Sequence, residues 1–195
     1  MSARQDSRSP RWEATHRKIY DVALDLFEEH GFDQVNVGQI AEAAGISVPT
    51  FYAHYPSKEH VIMQVPTAQD IDALMSSQPA SLPVGERILG AAPIWFDKFV
   101  HEDRLLTRWQ IIAATPSLRA RAAEFERTAA GLVADALPAE SQGALTPAER
   151  IVVHAYLAAF TEGMLAWADG GGTTDLQQEL TTAFAALQGL LPTEE

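Results

Sequence analysis

The chain has no cysteine at all. That absence excludes disulfide scaffolds, thiolate zinc sites, iron–sulfur clusters and thiol nucleophiles together. Long apolar runs are missing too. The longest unbroken one is Ala155-Tyr156-Leu157-Ala158-Ala159-Phe160, far below the ~20 residues of a membrane span. The first ten residues are polar and lack the apolar stretch of a secretory signal. These features predict a protein that makes no membrane contact and stays in the cytoplasm. Glycine and proline are sparse, 12 and 11 in 195 residues, while 47% of residues are hydrophobic and 21% charged. Neither a disordered nor a fibrous chain has that balance.

Catalytic and metal-binding signatures are also lacking. The six histidines, His16, His30, His54, His60, His101 and His154, include no helical pair at zinc-hydrolase spacing. No glycine-rich phosphate loop or nucleophile elbow occurs. The sequence therefore predicts no catalytic residues, no metal and no cofactor. Positive charge is scarce as well, with 14 Lys and Arg against 26 Asp and Glu for a net charge of −12. Non-specific attraction to nucleic acid is thereby disfavoured. The exception is the start of the chain, where Arg4, Arg8, Arg11, Arg17 and Lys18 face only Asp6 and Glu13. That stretch reads either as a solvated tail or as a basic arm.

What is present is helical periodicity throughout, with no alternating strand pattern. Ile19, Val22, Ala23, Leu26 and Phe27 form one amphipathic stripe, closed by His30-Gly31. Asn36 with Gln39 reads as a capping box for a short helix through Ala44. After a break at Gly45-Ile46, Ser47 caps a third short helix from Val48 to about Tyr55. Ser57 is expected to cap one longer helix from Lys58 to about Ser76, kinked or divided at Pro66, which reads either as a hinge or as a static bend across the domain junction. Further helices are predicted over Val84–His101, Arg104–Ala114, Pro116–Leu137, Pro147–Asp169 and about Thr174–Leu190. Thr115-Pro116 and Thr146-Pro147 read as capped starts, and Gly170-Gly171-Gly172 as a flexible link.

Two short helices around a glycine turn, braced by a preceding helix, form the arrangement of a helix-turn-helix DNA reader. A purely structural helical hairpin has the same spacing. The residues say more than the spacing. Gly31-Phe32, then the run from Val37-Gly38-Gln39-Ile40-Ala41 through Gly45-Ile46-Ser47-Val48-Pro49-Thr50-Phe51-Tyr52-Ala53-His54-Tyr55-Pro56-Ser57-Lys58-Glu59, strongly resembles the tetracycline-repressor (TetR) family. The motif-bearing match covers about residues 15–65; the rest agrees in length and helix count alone.

The resemblance implies an all-α transcription regulator. Its three-helix DNA-binding domain is expected over residues 1–57, and a larger effector-binding and dimerisation domain over 58–195. The implied partners are double-stranded operator DNA, a small-molecule effector and a second copy of the chain. Transferred residue by residue, Val48, Pro49, Tyr52 and Ala53 stand where bases are approached. Thr50, Tyr52, His54 and Lys58 stand where phosphates are met. Asn36 and Ser47, at the helix starts, complete the DNA-binding set. At ~100° per residue Phe51 and Tyr55 share one face and Pro49, Thr50 and Ala53 the opposite one. Pro49 and Ala53 replace the glycine and the bulky or basic residue common in the family. Thymine-methyl and shape readout are therefore expected to outweigh hydrogen-bond readout.

For the effector pocket the candidates are Trp95, Phe96, Phe99, Trp109, Phe125, Phe160 and Met164, residue types that equally fill cores. The small effector is expected to be largely apolar or aromatic. Dimerisation is expected through the last two long helices, with Ala155, Ala159, Phe160, Ala183, Phe184 and Leu187 at the interface. A non-catalytic small-molecule-binding protein on the same fold, with weak or no DNA binding, is the alternative that the acidic charge favours.

Overall fold

The computed structural model of the chain describes residues 9–64, 66–99, 104–137 and 145–189, and of residues 97–99 the backbone only. It divides into two compact units, Met1–Gln64 and Val65–Glu195. Arg4 and Arg8 lie outside the described residues, as does the side chain of Phe99.

The first unit is built on α1, Pro10–His30, which starts earlier than its apolar stripe implies because Ser9 accepts a hydrogen bond from the Trp12 amide and Pro10 fits the first turn. Arg11, Arg17 and Lys18 therefore ride on a helix instead of a loose arm. A single 3-10 turn, Phe32–Gln34, leads to α2, Val37–Ala44, whose start is the expected reciprocal capping box: Gln39 N–H donates to Asn36 Oδ1 at 3.0 Å and Asn36 N–H to Gln39 Oε1 at 2.9 Å. Gly45 ends α2 at φ 66°, ψ 37°, and Ile46 N–H reaches back to the Ala41 carbonyl. A left-handed residue is what turns the chain so sharply into the next helix. α3, Val48–His54, is capped by Ser47.

Of the two outcomes expected at Pro66, a kink or a division, the segment 58–76 shows the division. α4, Lys58–Ile62, stops after five residues and packs on α1 in the first unit. α5, Ala68–Ser76, begins after Pro66 with a capping box between Thr67 and Asp70. Proline cannot continue the ladder and Thr67 supplies a new start, so the segment divides and does not bend as one rod. Ser57 does not cap α4, because its hydroxyl pairs with His60 Nδ1 at 2.9 Å.

In the second unit α5 is followed by α6, Val84–Phe99, and by α7, Leu105–Ala114. Then come α8, Pro116–Ala136, α9, Pro147–Asp169, and α10, Leu176–Gln188. Among the described residues every regular element is helical. Thr115 stands at the start of α8 without a side-chain cap. Thr146 caps α9 as expected, its Oγ1 accepting the Glu149 amide at 3.2 Å, while its own amide and hydroxyl donate to Glu149 Oε2 at 2.7 Å. Those bonds hold the exposed Glu149 carboxyl below its ordinary pKa.

α9 is the centre of the unit, with α6, α7, α8 and α10 all packed on it. Its mean hydropathy of 1.3 over 18 residues would suit a membrane span, but its buried side chains, Val153, Tyr156, Thr161, Met164 and Leu165, meet helices of the same chain. One core cluster joins Ile71, Leu74 and Met75 of α5 to Ala91 of α6, Ala130 and Val133 of α8 and Val153 of α9. Arg87, 3% exposed, donates to the Met75 carbonyl and so completes the end of α5. Gly163 lets α10 approach: a Cβ there would stand 2.5 Å from Leu180 Cδ2. The glycines at 170–172 form a pinned turn and not a loose link. Gly172 N–H donates to the Trp167 carbonyl, Trp167 Nε1–H to the Thr174 carbonyl at 3.1 Å, and Asp175, not Thr174, caps α10.

Candidate nucleic-acid interface

The surface of α3 follows from what holds it down. Phe51 is fully buried and Tyr55 nearly so, which orients the short helix against α1 and α2. The opposite positions, Val48, Pro49, Tyr52 and Ala53, are all exposed, Val48 by 40% and Tyr52 by 54%. Spaced one and then three residues apart, they form a single stripe. Large exposed hydrophobics among the described residues are few, namely Val48, Tyr52, Ile94 and Ile151. Two of the four stand on a helix of seven residues. An apolar stripe flanked by a phenol hydroxyl can meet thymine methyls and a phosphate oxygen.

Polar members of the predicted set are partly engaged within the protein. Ser47 Oγ accepts the Thr50 amide at 3.2 Å and lies 2.7 Å from Thr50 Oγ1. Asn36 Oδ1 is bound in the capping box, with the side chain itself exposed.

His54 and Lys58 depart further from expectation. The His54 ring stacks on Trp12 with centroids 4.7 Å apart. Trp12 stacks on His16 at 4.6 Å, and His16 on Tyr55 at 4.1 Å. Tyr55 Oη–H also donates to the His16 carbonyl at 3.3 Å. His54 is thus a half-buried member of a column that ties α3 to the first turns of α1, so its ring does not extend freely toward a phosphate. Lys58 Nζ donates to the carbonyls of Phe32 and Val35, each at 2.8 Å, and lies 4.3 Å from the Phe32 ring centroid. Two of its three N–H groups therefore fasten α4 to the turn before α2 and do not point outward.

Two features of this surface escape a reading by local pattern. Trp12 sits 42 positions before His54 and has no periodicity linking them. Lys18 Nζ lies 3.7 Å from where a Cβ on Gly45 would stand, which places a cation beside the glycine turn. Between residues 36 and 57 the formal charge is a single acid, Glu42.

In the second unit the candidate pocket residues partly converge. Phe160 of α9 meets Trp95 of α6 edge to face at 4.8 Å and 83°, and Trp109 of α7 at 6.4 Å and 77°. Phe96 touches Trp95 at 5.8 Å. Met164, one turn beyond Phe160, is fully buried, and Phe125 is half-buried on α8. The predicted interface set divides. Phe160 turns into this aromatic group, and Phe184 is buried at 5.8 Å from the Tyr156 ring. Each faces a neighbouring helix of its own unit. Ala155, Ala159, Ala183 and Leu187 remain half-exposed. Beside Ala155 an open apolar depression is lined by Pro147, Arg150, Ile151, His154 and Ala158, with Ile151 67% exposed.

Comparison with known proteins agrees with this geometry. Residues 19–65 match the family model described as bacterial regulatory proteins, tetR family, and residues 87–192 match that of the MftR C-terminal domain. The chain is 41% identical over 75 residues to an uncharacterized HTH-type transcriptional regulator, YdeS, of Bacillus subtilis, covering 38% of this chain and 34% of that protein. It is 32% identical over 121 residues to the putative mycofactocin biosynthesis transcriptional regulator MftR of Mycobacterium tuberculosis, covering 56% and 57%. The matches thus span from a third to somewhat over half the length of these curated relatives. Among solved structures, Thermus thermophilus FadR, a repressor crystallised with lauroyl-CoA, superposes with a TM-score of 0.53 at 24% identity over 92% of this chain and 97% of that one.

Proposed function

We propose, from the premise that this chain belongs to the tetR family of bacterial regulatory proteins, that it is a cytoplasmic transcriptional repressor. It binds a near-palindromic operator as a homodimer and leaves it when a small, largely apolar or aromatic effector binds the second unit. The observation that carries this is the outward stripe of Val48, Pro49, Tyr52 and Ala53 on a helix anchored by Phe51. Tyr52 Oη and Thr50 meet phosphates; Val48, Pro49 and Ala53 meet base edges. Asn36 and Ser47 support the set by holding the two helix starts.

Two such helices must enter successive major grooves, ~34–36 Å apart on one face of the duplex. The dimer that sets this distance forms through the outer faces of α9 and α10, including Ala155, Ala159 and the exposed Ile151. An effector weakens DNA binding only to the extent that it prefers the dimer with the wrong separation. The aromatic group around Phe160 supplies its apolar contacts.

The test is electrophoretic mobility shift with the DNA flanking the gene. The wild type gives a discrete complex that weakens steeply with salt. Tyr52→Ala weakens it at least about tenfold, about 1.4 kcal/mol for the two contacts that the dimer loses, with the fold intact. Unchanged affinity in that variant removes α3 from the interface. A second reading, a small-molecule-binding protein without DNA affinity, is favoured by the net charge of −12 and by the lack of Lys or Arg between 36 and 57. Absence of any shift at low salt selects it.

A further inference from the structure

Among the four tryptophans, two have opposite fates. Trp167 donates its Nε1–H to the Thr174 carbonyl at 3.1 Å. Trp109 is only 9% exposed, yet its buried Nε1–H meets no acceptor among the described residues. An indole N–H can only donate, and a buried donor without an acceptor is rare in a folded protein. The rings on this side of α9 are linked to it through Phe160, and Trp95 also packs against the core. Trp95, Phe96 and Phe160 are each half-buried, with Phe160 edge-on to Trp109 and to Trp95. Half-open rings around one orienting polar group are the make-up of a ligand site.

We propose that Trp109 is the hydrogen-bond donor of the effector site, and that the effector carries a neutral acceptor oxygen, a ketone, ester or amide carbonyl, on its apolar or aromatic body. This rests on the effector reading above and narrows it. A neutral oxygen suits the place because an indole donor brings no charge to balance a carboxylate. The neighbouring Arg108 is buried and has an interaction of its own, but its Nε meets no acceptor among the described residues, so a carboxylate is the competing ligand that the test must include.

The test uses the full-length protein without DNA, so its outcome is independent of whether an operator is bound. Benzophenone, diphenylmethane and diphenylacetate are titrated as a matched ketone, hydrocarbon and carboxylate. Binding is read from the four indole N–H resonances. Benzophenone moves the Trp109 resonance downfield while that of Trp167 stays, and it binds about fivefold tighter than diphenylmethane, the factor one ordinary hydrogen bond supplies. In Trp109→Phe both still bind and the preference disappears. Equal binding of ketone and hydrocarbon overturns the assignment, as does a preference that survives Trp109→Phe or no binding by any of the three. Tighter binding of diphenylacetate overturns the neutral acceptor. If Trp109→Phe does not fold, the wild-type resonance decides alone, and a Trp109 signal that stays still under benzophenone overturns it.

Discussion

Replacing Lys58 by methionine keeps the length of the side chain and removes its charge. In the structure the ammonium bonds two carbonyls, of Phe32 and Val35, at 2.8 Å each, beside the Phe32 ring. At the lower end of the range for charged hydrogen bonds, the pair contributes about 3 kcal/mol. The ring adds ~0.5–1 kcal/mol, and freeing the lysine rotamers returns up to ~2 kcal/mol. Lys58→Met should therefore destabilise the first unit by about 2 kcal/mol. For a unit of this size that lowers the melting midpoint by about 8–16 °C, read from the amide signals of residues 19–62. DNA binding measured well below the midpoint should keep its dependence on salt. If Lys58 instead served mainly as a phosphate contact, the slope of log affinity against log salt would fall by about 0.9 per contact, nearly two for a dimer. An unchanged midpoint with a slope reduced by that amount refutes the structural role.

The same packing logic extends to the second unit. Ile151→Glu places a charge on an exposed apolar position of α9 without disturbing the core, so sedimentation should show monomer at concentrations where the wild type is dimeric; an unaltered dimer puts the interface elsewhere. Gly163→Ala forces a Cβ to within 2.5 Å of Leu180 Cδ2 and 3.3 Å of Ala183 Cβ, and overpacking of ~1–3 kcal/mol should lower the midpoint by about 3–10 °C. A midpoint within a degree of wild type would mean that α10 yields without strain. Burial raises the Tyr156 pKa above its ordinary 10.0, opposed by the hydrogen bond to Gln188 and aided by the charge of Glu86. The folded state thus holds that proton more tightly than the unfolded chain. This stabilisation is complete below pH 10 and lost as pH rises through the folded value. Tyr156→Phe should then lose less stability than wild type between neutral and strongly alkaline pH, and parallel denaturation curves would contradict it.

Local chemistry was legible in the sequence wherever the partners lie three or four residues apart. The box of Asn36 and Gln39, the left-handed Gly45 and the start of α9 at Thr146-Pro147 are of that kind. The outward stripe on α3 follows from the same periodicity, since burying Phe51 alone decides which side Pro49, Tyr52 and Ala53 face. The break in the 58–76 segment was legible in Pro66, whereas the capping box of Thr67 and Asp70 that restarts the helix is hidden by the apolar rhythm running from Val61 to Met75 across it. What local pattern cannot carry is the choice of a distant partner. Lys58 reaches carbonyls 23 and 26 positions away, and Tyr55 bonds one 39 positions away. His54 stacks on a tryptophan at the other end of the unit. Likewise the inward turn of Phe160 and Phe184 depends on how α9 and α10 are rotated, which small residues on every side of both helices leave unmarked.

Those distant ties narrow the chemistry available to DNA. With His54 held in the aromatic column and Lys58 fastened to two carbonyls, the residues left to face a duplex from α3 are short, neutral or apolar. On the DNA-binding reading proposed above, the charged attraction to phosphate among the described residues falls to α1, where Arg11, Arg17 and Lys18 are exposed and Lys18 stands beside the glycine turn. That proposal divides between two helices what one helix could do alone: shape and methyl recognition on α3, and electrostatic hold on the helix that braces it.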